Sequence, residues 1–114
     1  MTLQPVLRTA LFVPGSRADR YAKALAAGAD AVIIDLEDAV EPAAKASARE
    51  QIRHFAAAHP DAPFMVRCNA VESEWFDADM ALRRDLPNIT TVVLPKTERA
   101  DQVERVRQAC GKPV

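Results

Sequence analysis

Four short apolar runs, each closed by turn-forming or polar residues, recur along this chain with helix-patterned segments between them. They are Thr9 to Val13, Ala31 to Asp35, Phe64 to Arg67 and Thr91 to Leu94. Runs that stay apolar without alternating suit strands buried on both faces, and such strands separated by amphipathic helices build a parallel sheet. The repeat of roughly 22 to 32 residues leaves room for one crossover helix in each unit.

The punctuation supports that reading. Pro14-Gly15 ends the first run, and Ser16 is placed to N-cap a helix from Arg17 to Ala27 that Gly28 stops. Tyr21 and Leu25 supply its buried face. Pro42 suits the first turn of the next helix, which carries Ile52 and Phe55 and ends before Pro60. Trp75 to Leu86 forms a third helix with Phe76, Met80 and Leu82 inward, broken by Pro87-Asn88. Glu98 to Cys110 forms a fourth, with Val103, Val106 and Cys110 at spacings of three and four, closed by Gly111.

Four βα units are half of a closed (β/α)8 barrel, which needs roughly 200 residues or more. An open four-stranded sheet would leave the apolar run Thr91 to Leu94 as an unprotected edge. The fold class is therefore α/β, a TIM (β/α)8 barrel of which this chain supplies the first four units. Residues 1–114 form one domain, its N-terminal half.

Bulk properties exclude several classes of function. A net charge of −1 with Arg and Lys scattered among the acids gives no general drive toward nucleic acid or an anionic membrane. No apolar stretch approaches the ~20 residues of a membrane span. Met1 to Pro5 lacks a charged stretch followed by an apolar one, so no secretory signal is expected. Cys68 and Cys110 lack Cys-x-x-Cys spacing and suit free thiols in a reducing, cytoplasmic setting.

In parallel α/β sheets ligands sit outside the carboxyl ends of the strands. There the chain places Pro14-Gly15-Ser16-Arg17, Asp35-Leu36-Glu37-Asp38, Arg67 with Asn69, and Lys96. Arg67 offers a planar fork for a carboxylate, or a structural ion pair with one of the acids. The acids suit a hard divalent cation held directly or through water, or simply favour the N-terminus of the helix near Pro42, Glu41 above all. Asp35, nearest the strand, is the member expected to serve structure. The Pro14 to Arg17 turn reads as an anion cradle built from free backbone N–H groups, or as a turn with an N-cap. Arg17, Arg20 and Lys23 add cations nearby. Lys96 fits an electrostatic role better than a Schiff base, because neighbouring carboxylates keep it protonated. His54 and His59 read as surface residues. Trp75, Phe76 and Met80 read as core or subunit contacts.

Leu11-Phe12-Val13-Pro14-Gly15-Ser16-Arg17, Asp35-Leu36-Glu37-Asp38-Ala39-Val40, Val66-Arg67-Cys68-Asn69 and Leu94-Pro95-Lys96 together resemble the N-terminal half of the citrate lyase β-subunit (HpcH/HpaI aldolase/citrate lyase) family. Cys68 stands where an aliphatic residue is usual. The resemblance implies a Mg2+-dependent carbon–carbon lyase acting on 3-hydroxy-acyl thioesters such as citryl-, malyl- or citramalyl-CoA. It implies that Arg67 grips the carboxylate of a small oxo acid, that Glu37 and Asp38 hold waters around the metal, and that Lys96 lines the pocket. Asn69 is expected beside the substrate. Pro14, Gly15 and Arg17, with Arg20 or Lys23, would meet the thioester or its CoA or protein carrier. The metal's own ligands, a Glu and an Asp, are expected beyond Val114, and a homo-oligomer, trimer or hexamer, is expected. Other readings are a class II pyruvate-enolate aldolase, a non-catalytic assembly subunit of this fold, and a receiver-type signalling module, which the Pro14 to Arg17 turn disfavours.

Overall fold

A computed structural model describes residues 9–95 and residue 108. The helix expected from Glu98 to Cys110, apart from residue 108, and Lys96 lie outside the described residues. Strands β1 (Ala10–Pro14), β2 (Ala31–Asp35), β3 (Phe64–Arg67) and β4 (Ile89–Val93) alternate with helices α1 (Tyr21–Ala26), α2 (Lys45–Ala58) and α3 (Phe76–Asp85). Short 3-10 turns, Ala18–Arg20 and Pro42–Ala44, lead into α1 and α2.

All three strand pairings are parallel and the spatial order is β1-β2-β3-β4. A receiver-type sheet would run 2-1-3-4-5 with helices on both faces, so the signalling alternative is overturned. Here each crossover returns to the next position along the sheet. Val13, Val32, Ile34, Phe64 and Val66 point to one face and pack against Tyr21 and Ala24 of α1, Ala48, Ile52 and Ala56 of α2, and Leu82 of α3. A smaller cluster joins Val92 to Cys68, Val71, Phe76 and Met80 beneath the start of α3. The Tyr21 and Phe55 rings meet edge to face at 5.3 Å.

Alternation along each strand sends Phe12, Ile33, Met65, Thr91 and Val93 to the other face. None of these belongs to either helix-backed cluster. Phe12 is 49% exposed, and Met65, Thr91 and Val93 are only half-buried, while Ile33, flanked by strands on both sides, is 6% exposed. The helices therefore back one side of the sheet and leave the other open.

Two local expectations are corrected. Ser16 does not cap the first helix; Arg17 is the N-cap residue of the 3-10 turn and makes no side-chain capping bond. Gln51 of α2 accepts the Ala18 N–H instead, at 3.1 Å. The fourth strand begins at Ile89 rather than Thr91. Buried Asn88 anchors the preceding turn by donating to the carbonyls of His59 (2.9 Å) and Ala62 (3.0 Å), so the ladder starts at once. The register then slips between Phe64 and Met65, leaving Thr90 unmatched. Gly28 ends the first helix as expected, at φ +84. No helix among the described residues is long and apolar enough to cross a membrane.

Candidate active site at the carboxyl ends of the strands

The pairing register puts Pro14, Asp35, Arg67 and Val93 in one row across the sheet. Three backbone bonds extend the ladder past that row: Gly15 N–H to Asp35 O (2.8 Å), Leu36 N–H to Arg67 O (2.9 Å) and Cys68 N–H to Val93 O (3.2 Å). The polar loops after β1, β2 and β3 therefore leave from one rim. Gly15 is required there because a Cβ would lie 2.8 Å from the Asp35 carbonyl oxygen.

Asp35 is 1% exposed and sits at the centre of the rim. Its carboxylate accepts Arg67 Nε and Nη2, both at 2.8 Å, and the N–H groups of Glu37 and Ala39, both at 2.9 Å. Burial alone would raise its pKa. The Arg67 fork and the two amides outweigh burial and hold it below the ordinary carboxylate range. The same hydrogen bonds raise the Arg67 pKa against partial burial, with Glu37 and Asp38 adding attraction. Both readings of Arg67 meet in this geometry. One edge of the guanidinium is a structural ion pair, while Nη1 makes no hydrogen bond to any described residue and the side chain stays 25% exposed. Phe12 covers the guanidinium from the open face at 5.0 Å.

Glu37 stands half-buried with an oxygen 3.9 Å from Arg67 Nε, and Asp38 is exposed. Both line a hollow of about 430 Å3 with Glu41, Lys45, Asn69 and Trp75. Among the described residues no three His, Cys, Asp or Glu side chains converge on one point for direct metal ligation. Two carboxylates beside a guanidinium, one of them solvated, suit contact with a hydrated Mg2+ rather than a dry cage.

Asn69 is buried, and its side-chain amide faces protein. Its Oδ1 accepts Lys45 Nζ at 2.7 Å, and its Nδ2 and backbone N–H donate to Asp79 at 2.7 and 2.8 Å. Arg49 completes the line by donating to Asp79 at 3.1 Å. Burial raises the Asp79 pKa, opposed by Asn69 and Arg49. Lys45 also donates to the carbonyls of Leu36 (2.8 Å) and Glu37 (2.9 Å). Lys45 and Asp79 were not expected here from the sequence. A signal existed: Lys45, Ala48, Ile52 and Ala56 form one helical stripe, and Asp79 lies on the Phe76–Met80 stripe of α3.

In the turn after β1 most of the backbone N–H groups expected to cradle an anion are already engaged. The N–H groups of Gly15, Arg17 and Ala18 already donate to Asp35 O, Pro14 O and Gln51. Side chains are better placed. Arg17, Arg20 and Lys23 line a groove of about 510 Å3 with Phe12 and Pro14. Arg17 is exposed and bound to Asp19 at 2.9 Å, a surface pair that an incoming anion can replace. A third hollow, of about 460 Å3, lies at the amino ends of the strands. Among the described residues Asp30 is the one charged residue lining it, so their concentration of charge is at the opposite rim.

The family model for HpcH/HpaI aldolase/citrate lyase matches residues 8–114. A citrate lyase subunit beta-like protein of Deinococcus radiodurans is 39% identical over 109 residues, covering 90% of this chain and 38% of its own length. The structure of CitE from Mycobacterium tuberculosis with magnesium, acetoacetate and coenzyme A superposes with a TM-score of 0.73 at 41% identity, over 85% of this chain and 35% of that one. The citrate lyase beta subunit of M. tuberculosis with oxaloacetate and magnesium gives 0.73 at 39% identity, over 85% and 42%. The chain thus spans roughly two fifths of the length of the relatives it matches.

Proposed function

Because the chain belongs to the HpcH/HpaI aldolase/citrate lyase family, we propose that it forms the oxo-acid-binding half of a Mg2+-dependent carbon–carbon lyase. The reaction cleaves or forms a 3-hydroxy-acyl thioester of the citryl, malyl or citramalyl type, giving a small oxo acid and an acyl thioester. The observation that carries this reading is the divided guanidinium of Arg67. Asp35 fixes the Nε edge and leaves the Nη1 side for a substrate carboxylate. Magnesium, which accompanies acetoacetate and oxaloacetate in the two related structures, supplies Lewis-acid polarisation of the substrate oxygen when bound.

The chain's own residues orient and balance charge. Arg67 holds the carboxylate so that the breaking bond is aligned, a positioning effect. Glu37 and Asp38 would accept hydrogen bonds from the hydration shell of the cation. Arg17, Arg20 and Lys23 attract the anionic end of the thioester carrier along their groove, as coenzyme A accompanies the M. tuberculosis relative. Lys96 is proposed to line the same mouth. The family's direct metal ligands are proposed to come from outside this chain.

We also propose that the sheet is an arc of a (β/α)8 barrel. Its sequential strand order and one-sided helices fit a barrel wall, and Phe12, Met65, Thr91 and Val93 would face the interior.

The test is an assay of the polypeptide that carries this chain, with Mg2+, against malyl-, citryl- and citramalyl-CoA and against a simple hydroxy-oxo acid. Release of an oxo acid with an acyl-CoA supports the lyase. Turnover of the free hydroxy-oxo acid alone would transfer the assignment to a pyruvate-enolate aldolase. Near-normal kinetics in Arg67→Lys, which keeps the charge but loses the fork, would reduce Arg67 to structure.

A further inference from the structure

Lys45 is a buried lysine, 4% exposed, whose three N–H donors meet three neutral acceptors among the described residues. Its ammonium also lies 4.9 Å from the centre of the Trp75 ring. An ammonium with all three hydrogens engaged has none left for substrate, and burial beneath a ring bars it from acting as a base exposed to solvent. Its remaining effect falls on what it holds.

What it holds is the backbone of the acidic loop. The Glu37 N–H is bound by the Asp35 carboxylate, and the Glu37 carbonyl is bound by Lys45. Both backbone polar groups of that residue are thus fixed by ionic side chains, one from β2 and one from α2. The Leu36 carbonyl and the Ala39 N–H are held by the same two residues. Through Asn69 the clamp continues to Asp79 on α3 and to Arg49 on α2. Asn69 itself lies two residues beyond Arg67, so one line of hydrogen bonds ties the loop after β2 to the loop after β3.

We propose that Lys45 is a positioning residue which sets the direction in which the Glu37 and Asp38 carboxylates leave the loop. The inference rests on the reading of this rim as the reacting site and deepens it. Lys45 touches neither substrate nor metal; it acts through the two acids.

A charge role and a positioning role predict opposite signs. Removing a cation from the hollow that the two carboxylates also line strengthens their attraction for Mg2+ if charge is all that Lys45 supplies. Releasing the loop weakens that attraction, because ordered groups bind better than mobile ones, and loss of supporting partners commonly costs about 10- to 100-fold in metal affinity. Lys45→Met retains the stem and removes every donor. Lys45→Arg retains the charge but cannot bring three donors to one point.

The experiment has two arms. In the first, amide hydrogen exchange of the chain compares Glu37 and Ala39 with ladder amides of β2 and β3. Lys45→Met is expected to speed exchange at Glu37 and Ala39 by about tenfold or more, with the ladder within about twofold. In the second, the Mg2+ concentration for half-maximal thioester cleavage is measured in the polypeptide that carries the chain. It is expected to rise about 10-fold or more in Lys45→Met and in Lys45→Arg, with the thioester KM within about twofold. Asn69→Ala removes one of the three acceptors and gives the same changes at about threefold, which keeps the test open if Lys45→Met does not fold. Exchange at Glu37 and Ala39 that stays at the parent rate, or rises equally in the ladder, overturns the assignment. So does tighter Mg2+ dependence in Lys45→Met. A parent polypeptide that cleaves no thioester sinks the lyase reading, while the exchange arm still judges Lys45.

Discussion

The two faces of the sheet obey different rules. Behind it, Val13, Val32, Ile34, Phe64 and Val66 are buried against three helices in an apolar layer. In front, Phe12, Met65, Thr91 and Val93 are partly exposed, and the buried Asp35 pairs with Arg67 at the rim. The back carries stability and the front carries chemistry, although both are built from the same strands at alternate positions. The sharpest way to break this division is a matched pair of truncations. Ile34→Ala leaves a cavity in the back layer and is expected to cost about 4 kcal/mol by urea denaturation. Met65→Ala, one strand over on the front, is expected to cost about 1 kcal/mol or less, because the side chain is only half removed from water. Equal costs would mean that the front is packed as tightly as the back.

The rim pair gives the next largest effect. Arg67→Met leaves the Asp35 carboxylate buried without its fork, at an expected cost of about 3 kcal/mol. Arg67→Lys is expected to cost less in stability but about 100-fold in turnover of the lyase, since one ammonium cannot serve Asp35 and a substrate carboxylate together. If stability and turnover fall in step through both variants, the front has no function apart from holding the fold.

Much of this division was legible in the residues. Ala31 to Asp35 and Phe64 to Arg67 are strands with the expected bounds, because continuous apolar runs between turn-forming residues leave little choice. The convergence of Asp35 and Arg67 followed from parallel order alone, and the expected structural duty of Asp35 is seen in its four hydrogen bonds. The misses depend on partners distant in sequence. Gln51 takes the capping work given to Ser16 by accepting the N–H of Ala18, 33 residues before it. Asn88 advances β4 by reaching carbonyls 29 and 26 residues earlier. Lys45 and Asp79 carry charges that suggest solvent, yet they lie on the buried stripes of α2 and α3. Helical spacing marks the stripe, but only tertiary structure shows that Asn69 joins the two.

Acid titration separates two buried carboxylates with opposite signs. Asp35 has a lowered pKa, so the stability it adds is present above the unfolded value near about pH 4 and is lost as pH falls through its folded value. Asp79 has a raised pKa, so its contribution is greatest below the unfolded value and is lost as pH rises through its folded value. In denaturation at stepped pH, Asp35→Asn is expected to flatten the acid-side loss of stability. Asp79→Asn is expected to steepen the net gain of stability with rising pH, by removing a term that declines over that range. Unchanged curves in both variants would place these carboxyls in water rather than in the network described.

The smallest effect tests the boundary between the faces. Phe12 belongs to the front, is 49% exposed, and lies 5.0 Å from the Arg67 guanidinium. Phe12→Leu retains an apolar side chain but removes the ring quadrupole, so the expected loss of stability is about 0.5 to 1 kcal/mol. If the front serves binding, the same change is felt more by substrate than by the fold. The ring covers the guanidinium beside the edge left open by Asp35, so the KM for the oxo acid in the synthetic direction is expected to rise about threefold at unchanged kcat. Leu11 provides the control, since it is also exposed on β1 but alternates to the back face. Leu11→Ala is expected to leave that KM unaltered. A KM response to Leu11→Ala as large as the response to Phe12→Leu would show that β1 acts as a whole edge rather than through the face it presents.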